Sequence, residues 1–190
     1  MPETLLKSTC VIGHDDIFIS AEGSVLADLN LMVSAAVDPI ELIDQNFWGA
    51  IQNKSLSYVY TLILERVRLG IDVKYSRHWH EDDQAFLTEA LFRAGDGGDV
   101  ICEWTTTLVQ ESEPPAILPY DARTLSHSSL VVSCSWCHKV RVGSKKWRFI
   151  EDAISILGIM SLVPLPEFSH GMCGPCFLGA VDRLRGNSNE

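Results

Sequence analysis

No stretch of the 190-residue chain approaches the roughly 20 apolar residues that cross a bilayer as a helix. The opening MPETLLKSTC lacks a basic region followed by an apolar run and a small-residue cleavage site. Neither membrane insertion nor export is expected, and the cytoplasm is the expected location. Signatures of catalysis are missing too: there is no G-x-S-x-G elbow, H-E-x-x-H pair, P-loop or strand-to-helix G-x-G-x-x-G. GDGGD at 95–99 joins two strand-like segments instead of opening a helix, so it reads as a turn and not a phosphate cradle. No kinase ATP domain, cyclase domain or DNA-reading helix pair follows, and the chain is not expected to be an enzyme. A net charge of -10 also disfavours nucleic acid and anionic lipid, because the phosphate interaction would be repulsive over most of the surface.

That charge is unevenly placed. Residues 1–133 hold 8 Lys and Arg against 20 Asp and Glu, whereas residues 134–190 hold 7 against 5. The change falls just before Cys134 and suggests a first unit over 1–113, a linker rich in Pro and Ser over 114–129, and a second unit over 130–190.

The strongest helical pattern is SLSYVYTLILERVRLG, with Leu56, Val59, Tyr60, Ile63 and Val67 on one face, Ser55 as a candidate cap and Gly70 as the stop. Before it, HDDIFIS reads as a first strand, GSVLADLNLMVS as a short helix, and ELIDQNFWGAI as one or two short helices turning Phe47, Trp48 and Ile51 inward. After it, IDVKYSRHWH, AFLTEALFRAG and VICEWTTTLVQE read as three consecutive strands. This order predicts an α+β fold, a small antiparallel sheet with helices on one face. In the second unit, KVRVGSKKWRFI reads as a hairpin, FIEDAISIL as a short helix and FLGAVDRLRG as the last helix.

Cys134 and Cys137 are separated by two residues, as are Cys173 and Cys176, with 35 residues between the pairs. Two such turns can present four thiolates to one tetrahedral cation, and an all-sulfur set suits zinc. Residues 134–150 carry Lys139, Arg141, Lys145, Lys146 and Arg148 and no acid, which complements an anionic tetrathiolate centre. A unit this small also needs a staple. Other readings stay open. CSWCH matches a c-type haem attachment, although that chemistry belongs outside the cytoplasm, and CGPC has thioredoxin-like spacing without a βαβ context. The cysteines can also act as a thiol-redox switch that releases zinc on oxidation. His138 and His170 read as neighbours of the centre, since four thiolates already fill a tetrahedron.

The segment at 134–176, with Trp136, Trp147 and Ser169-His170-Gly171, resembles a C-terminal cysteine module of bacterial PAS-type sensory proteins. Its form there is an opening C-x-W-C-[KH]-[KR]-[VI] and a closing S-H-G-[IM]-C-x-x-C. More loosely, IELIDQNFWGAI, YVYTLILERVRLG and the three later strands are similar to the PAS-like domain that precedes that module. The resemblance implies a five-stranded antiparallel sheet with a pocket under its helices, a sensory role, pairing into a homodimer and contact with a protein partner in a signalling pathway. Such pockets hold haem, flavin, a small metabolite or nothing. One departure is SRHWHEDD, which stands where an FRCD-like segment is expected, so no role of that cysteine carries over.

Within SRHWHEDD, His78 and His80 share one strand face beside Glu81, Asp82 and Asp83 and are candidates for a second metal; the plainer reading is an edge strand running into a polar turn. Trp48 and Trp104 are candidate pocket walls or core. Cys10 and Cys102 read as isolated, with Cys102 a buried small hydrophobe. His14 and His127 are expected at the surface.

Overall fold

The computed structural model describes residues 4–23, 39–51, 53–81, 84–109, 130–162 and 165–186. Its first unit contains strands β1 (Thr4–Ile12), β2 (Phe18–Glu22), β3 (Val73–Glu81), β4 (Gln84–Ala94) and β5 (Val100–Val109). They form one antiparallel sheet in the order β2-β1-β5-β4-β3. The fold is α+β, as expected. Side chains alternate strictly on β5: Val100, Cys102, Trp104 and Thr106 are buried, while Ile101, Glu103 and Thr105 face outward.

Helix α1 (Phe47–Ala50) is capped by Asn46, and α2 (Lys54–Arg68) by Asn53, whose side chain accepts from Leu56 N. Asn53 takes the cap expected of Ser55 because its carbonyl oxygen sits three residues before the amide it satisfies. The helix stops where Gly70 takes φ +80°, a conformation open to glycine. Leu56, Val59, Tyr60, Ile63 and Val67 are all buried. They meet a chain of aromatic rings, Phe18 to Phe47 to Tyr60 to Phe92 to Trp104, with edge or tilted contacts of 5.6–5.9 Å between centroids.

The strand expected at residues 14–20 is present only from Phe18 onward, as β2, and an unexpected strand, β1, precedes it. Gly13 to Asp16 form the turn, with Gly13 N donating to Ile17 O at 2.7 Å and Asp16 at φ +64°. The helix read over GSVLADLNLMVS and the linker at 114–129 lie outside the described residues, apart from Gly23.

The second unit is a four-stranded sheet in the order β8-β7-β6-β9, built from β6 (Leu130–Cys134), β7 (Val140–Arg141), β8 (Trp147–Arg148) and β9 (Glu167–Gly171). Helix α3 (Ile150–Ile156) and a 3-10 turn (Ile159–Ser161) fill the crossover, and α4 (Gly174–Gly186) closes the chain's described part. The two units share a hydrophobic core: one cluster runs from Ile12 and Trp104 through α2 to Val131, Val140, Ile150 and Ile159. Helix α3 and the 3-10 turn also lie against β3, an edge strand of the larger sheet. No helix among the described residues is long and apolar enough to cross a membrane.

Candidate metal centre

Strand pairing brings the two cysteine turns together. β6 and β9 run parallel, with Ser133 opposite His170 and Cys134 opposite Gly171, so the strand ends deliver Cys134 and Cys173 side by side. Parallel neighbours need a crossover of a dozen residues or more, which is why the spacer between the pairs is long. Gly171 eases this approach, since a Cβ there would lie 3.0 Å from Val132 Cγ1 and that side chain would have to give way. The first turn closes through His138 N to Cys134 O (3.0 Å) and Cys134 N to Lys139 O (2.7 Å), with His138 in the left-handed region at φ +58°.

The sulfurs of Cys134, Cys137, Cys173 and Cys176 all lie within 4.8 Å of one another. A regular tetrahedron with metal–sulfur bonds of about 2.3 Å has edges of about 3.8 Å. The Cys137–Cys173 separation of 3.6 Å fits that edge and is far from a disulfide bond. All six cysteines are free. Among the described residues this is the one cluster placed to hold a metal ion.

Backbone donors favour the thiolate at Cys134. Burial alone would raise its pKa, but the N–H groups of Cys173, Cys137 and Trp136 outweigh it and bring the thiol down to about 6. The amide of Cys173 lies 3.4 Å from that sulfur. Cys137 is raised, burial being the largest cause, and Cys176 is pushed up to about 12, chiefly by its contact with the Cys173 sulfur. Several thiolates cannot share this space without a cation to neutralise them. Cys134 and Cys173 are buried, whereas Cys137 and Cys176 are half-buried.

The centre is tied to α2 by a second stripe of that helix, which single-face reading missed. Tyr58 Oη is 2.6 Å from Ser133 Oγ, and its ring meets those of Phe168 (5.0 Å) and His170 (5.4 Å). His138 Nδ1 lies 2.6 Å from Glu65 Oε2. Arg66 grips Glu151 at the start of α3 through both Nε and Nη2, at 2.6–3.2 Å, with its guanidinium over the Phe149 ring. These residues recur at i, i+4, i+7 and i+8, together with Leu62, and that period was the available signal. A cleft of about 170 Å³ lies between α2 and the first turn, lined by Leu62, Glu65, Leu69, Trp136, Cys137 and His138 among others. Arg141, Lys145, Lys146 and Arg148 are exposed around the β7–β8 hairpin.

Other candidate residues are placed apart. Val73 and Tyr75 are buried, so alternation puts His78 on the outer, exposed face of β3, opposite to buried Trp104. The side chain of His80 lies outside the described residues. Trp48 donates from Nε1 to Asp16 Oδ2 at 2.6 Å, and Asp16 also pairs with Arg68 at 2.6 Å. Trp104 fills the core, and its Nε1 has no hydrogen-bond partner among the described residues. Near it Tyr60 and Tyr75 share a 3.2 Å hydroxyl contact, and burial pushes the Tyr75 phenol up to about 12. Cys10 and Cys102, which read as isolated, are cross-strand partners on β1 and β5, and burial holds the Cys102 thiol well above its ordinary pKa. A groove of about 490 Å³ lies on the outer sheet face beside Lys7, Lys74, Glu89 and Glu103.

No family model matches the chain, and no curated protein matches it. Among solved structures, a domain of HTR-like protein from Haloarcula marismortui ATCC 43049 is similar over 55% of this chain and 98% of that one. The identity is 9% and the TM-score 0.34, too slight a likeness to carry an argument.

Proposed function

We propose that the protein is a cytoplasmic signal-sensing or regulatory protein: a PAS-like domain coupled to a structural zinc module, without an output reaction of its own, acting as a homodimer through protein contacts. The convergence of four sulfurs within 4.8 Å, on a unit bonded directly to α2, carries this reading. Zinc suits the centre because four thiolates leave no open coordination position and zinc has no redox chemistry to spend there. Helix α2 is both the wall of the sheet's interior and the seat of the cysteine unit. A change in the interior that shifts α2 therefore shifts the basic hairpin with it.

The test is elemental analysis and native mass spectrometry of the purified protein. One zinc per chain is expected, falling to well under half in Cys134→Ser. Full occupancy in that variant, or a metal-free native protein with a folded tail, rejects the assignment.

The half-exposed Cys137, 3.6 Å from Cys173, favours a second reading as a peroxide-responsive switch. Two thiolates would give up two electrons to form the disulfide, hydrogen peroxide would take them with two protons to become water, and zinc would leave. Zinc retained through mild peroxide treatment excludes it.

A further inference from the structure

Four thiolates outweigh the charge of a divalent cation, so an all-sulfur centre stays net negative and keeps electron density on its sulfurs. A metal-held thiolate is a nucleophile that needs no base, since its proton has already gone. Which sulfur reacts is then decided by access and by the donors that draw on it. Cys134 and Cys173 are buried, and the backbone N–H groups of Cys173, Cys137 and Trp136 all point to the Cys134 sulfur. Cys137 and Cys176 are half-buried, and of these two only Cys137 lines the cleft against α2.

That cleft suits a small neutral guest. At about 170 Å³ it is well below the roughly 300 Å³ at which sites for drug-sized ligands begin. Leu62, Leu69, Trp136 and Phe149 supply apolar walls, and the charged groups of the lining are already matched: Glu65 lies 2.6 Å from His138 Nδ1, and Arg66 is held by Glu151. A charged guest would lose hydration there without an unmatched partner to replace it. An apolar one would bury its surface against two aromatic rings.

We propose that Cys137 is an alkyl acceptor, its zinc-bound sulfur attacking the carbon of a small neutral alkyl electrophile seated in this cleft. An S–C bond forms from the sulfur's electron pair, and the bond from that carbon to the leaving group breaks. The leaving group departs as an anion with the pair from the broken bond, and no proton moves. Cys137 becomes a thioether, a neutral and weaker ligand. The centre thereby loses one negative charge beside the His138–Glu65 contact that ties the first turn to α2. This names a chemical signal for the regulatory protein proposed above and rests on its four-sulfur zinc centre.

The experiment exposes the full zinc-loaded chain to a small molar excess of methyl iodide, read by intact mass, peptide mapping and zinc analysis. The first methyl group is expected on Cys137, about tenfold faster than on Cys176, with zinc still bound and the buried Cys10 and Cys102 unmodified. Leu69 is 71% exposed, so Leu69→Trp can add bulk to the cleft wall without disturbing the core. It is expected to slow methylation of Cys137 about tenfold at unchanged zinc content. A chain that holds no zinc as purified overturns the metal centre and this acceptor with it. A zinc-loaded chain that resists methylation, or takes methyl on Cys176 as readily as on Cys137, overturns the acceptor alone. So does a Cys137 rate indifferent to Leu69→Trp.

Discussion

The sheet unit and the cysteine unit solve the same problem with different means. Residues 4–109 surround α2 with a chain of large rings, and Phe18, Phe47, Phe92 and Trp104 are essentially inaccessible to water. Residues 130–186 bury mainly aliphatics of moderate size, such as Val131, Val140, Ile150, Ile154 and Ile159, and add four convergent sulfurs. Apolar area is the main stabilising factor in the first, while a cation would substitute for missing area in the second. Yet α2 belongs to both, and α3 lies against β3. The difference therefore concerns how each unit is held, not whether either stands alone.

The largest effect that can break this comparison is metal removal. Chelation should destabilise the chain by about 5 kcal/mol or more, lowering the melting midpoint by on the order of 10–20 °C. Because the core is continuous, calorimetry and circular dichroism should show one transition moving as a whole. A sheet transition that stays in place while the tail alone melts would show that the seam along α2 transmits little.

The seam itself gives a smaller effect. Glu151→Ala removes the three hydrogen bonds that Arg66 makes to this carboxylate, while the Arg66 side chain is only 17% exposed and keeps its place over the face of Phe149. The expected loss is about 2 kcal/mol, seen as a lower denaturant midpoint at unchanged slope. A reduced slope would mean that the units had begun to unfold separately, and the comparison would then sharpen into two cooperative blocks.

Much of this organisation was legible from residues. The period of Leu56, Val59, Tyr60, Ile63 and Val67 located α2, and the paired cysteines located the centre. What escaped depended on partners distant in sequence. β1 is unremarkable as LLKSTCVI and becomes a strand by pairing with β5 almost a hundred residues later. Cys10 looked isolated for the same reason, because Cys102 reaches it only through that register. The parallel β6–β9 pair carries no local turn signal, and Tyr58 and Glu65 fall off the face picked out by Leu56, Val59, Tyr60, Ile63 and Val67, so only the module's Ser133 and His138 give them partners. Local periodicity reports which face a helix buries first, and a second buried stripe shows only when its partner is known.

The finest probe of the seam is Tyr58→Phe. The ring would keep its contacts with Phe168 and His170, so the change isolates one hydroxyl 2.6 Å from Ser133 Oγ. Ser133 is fully buried, but its Oγ also lies 3.4 Å from Ser169 O and retains an acceptor after the substitution. Loss of one satisfied hydrogen bond with its partner rehoused costs about 1 kcal/mol. Equilibrium denaturation should show a midpoint shift of that size, and zinc occupancy should not change, because none of the four sulfurs touches the hydroxyl. A cost near zero would mean that ring packing alone positions β6 against α2. A cost several times larger, or any loss of zinc, would mean that the hydroxyl aligns the strand that delivers Cys134, and that the sheet unit's helix sets the geometry of the metal centre directly.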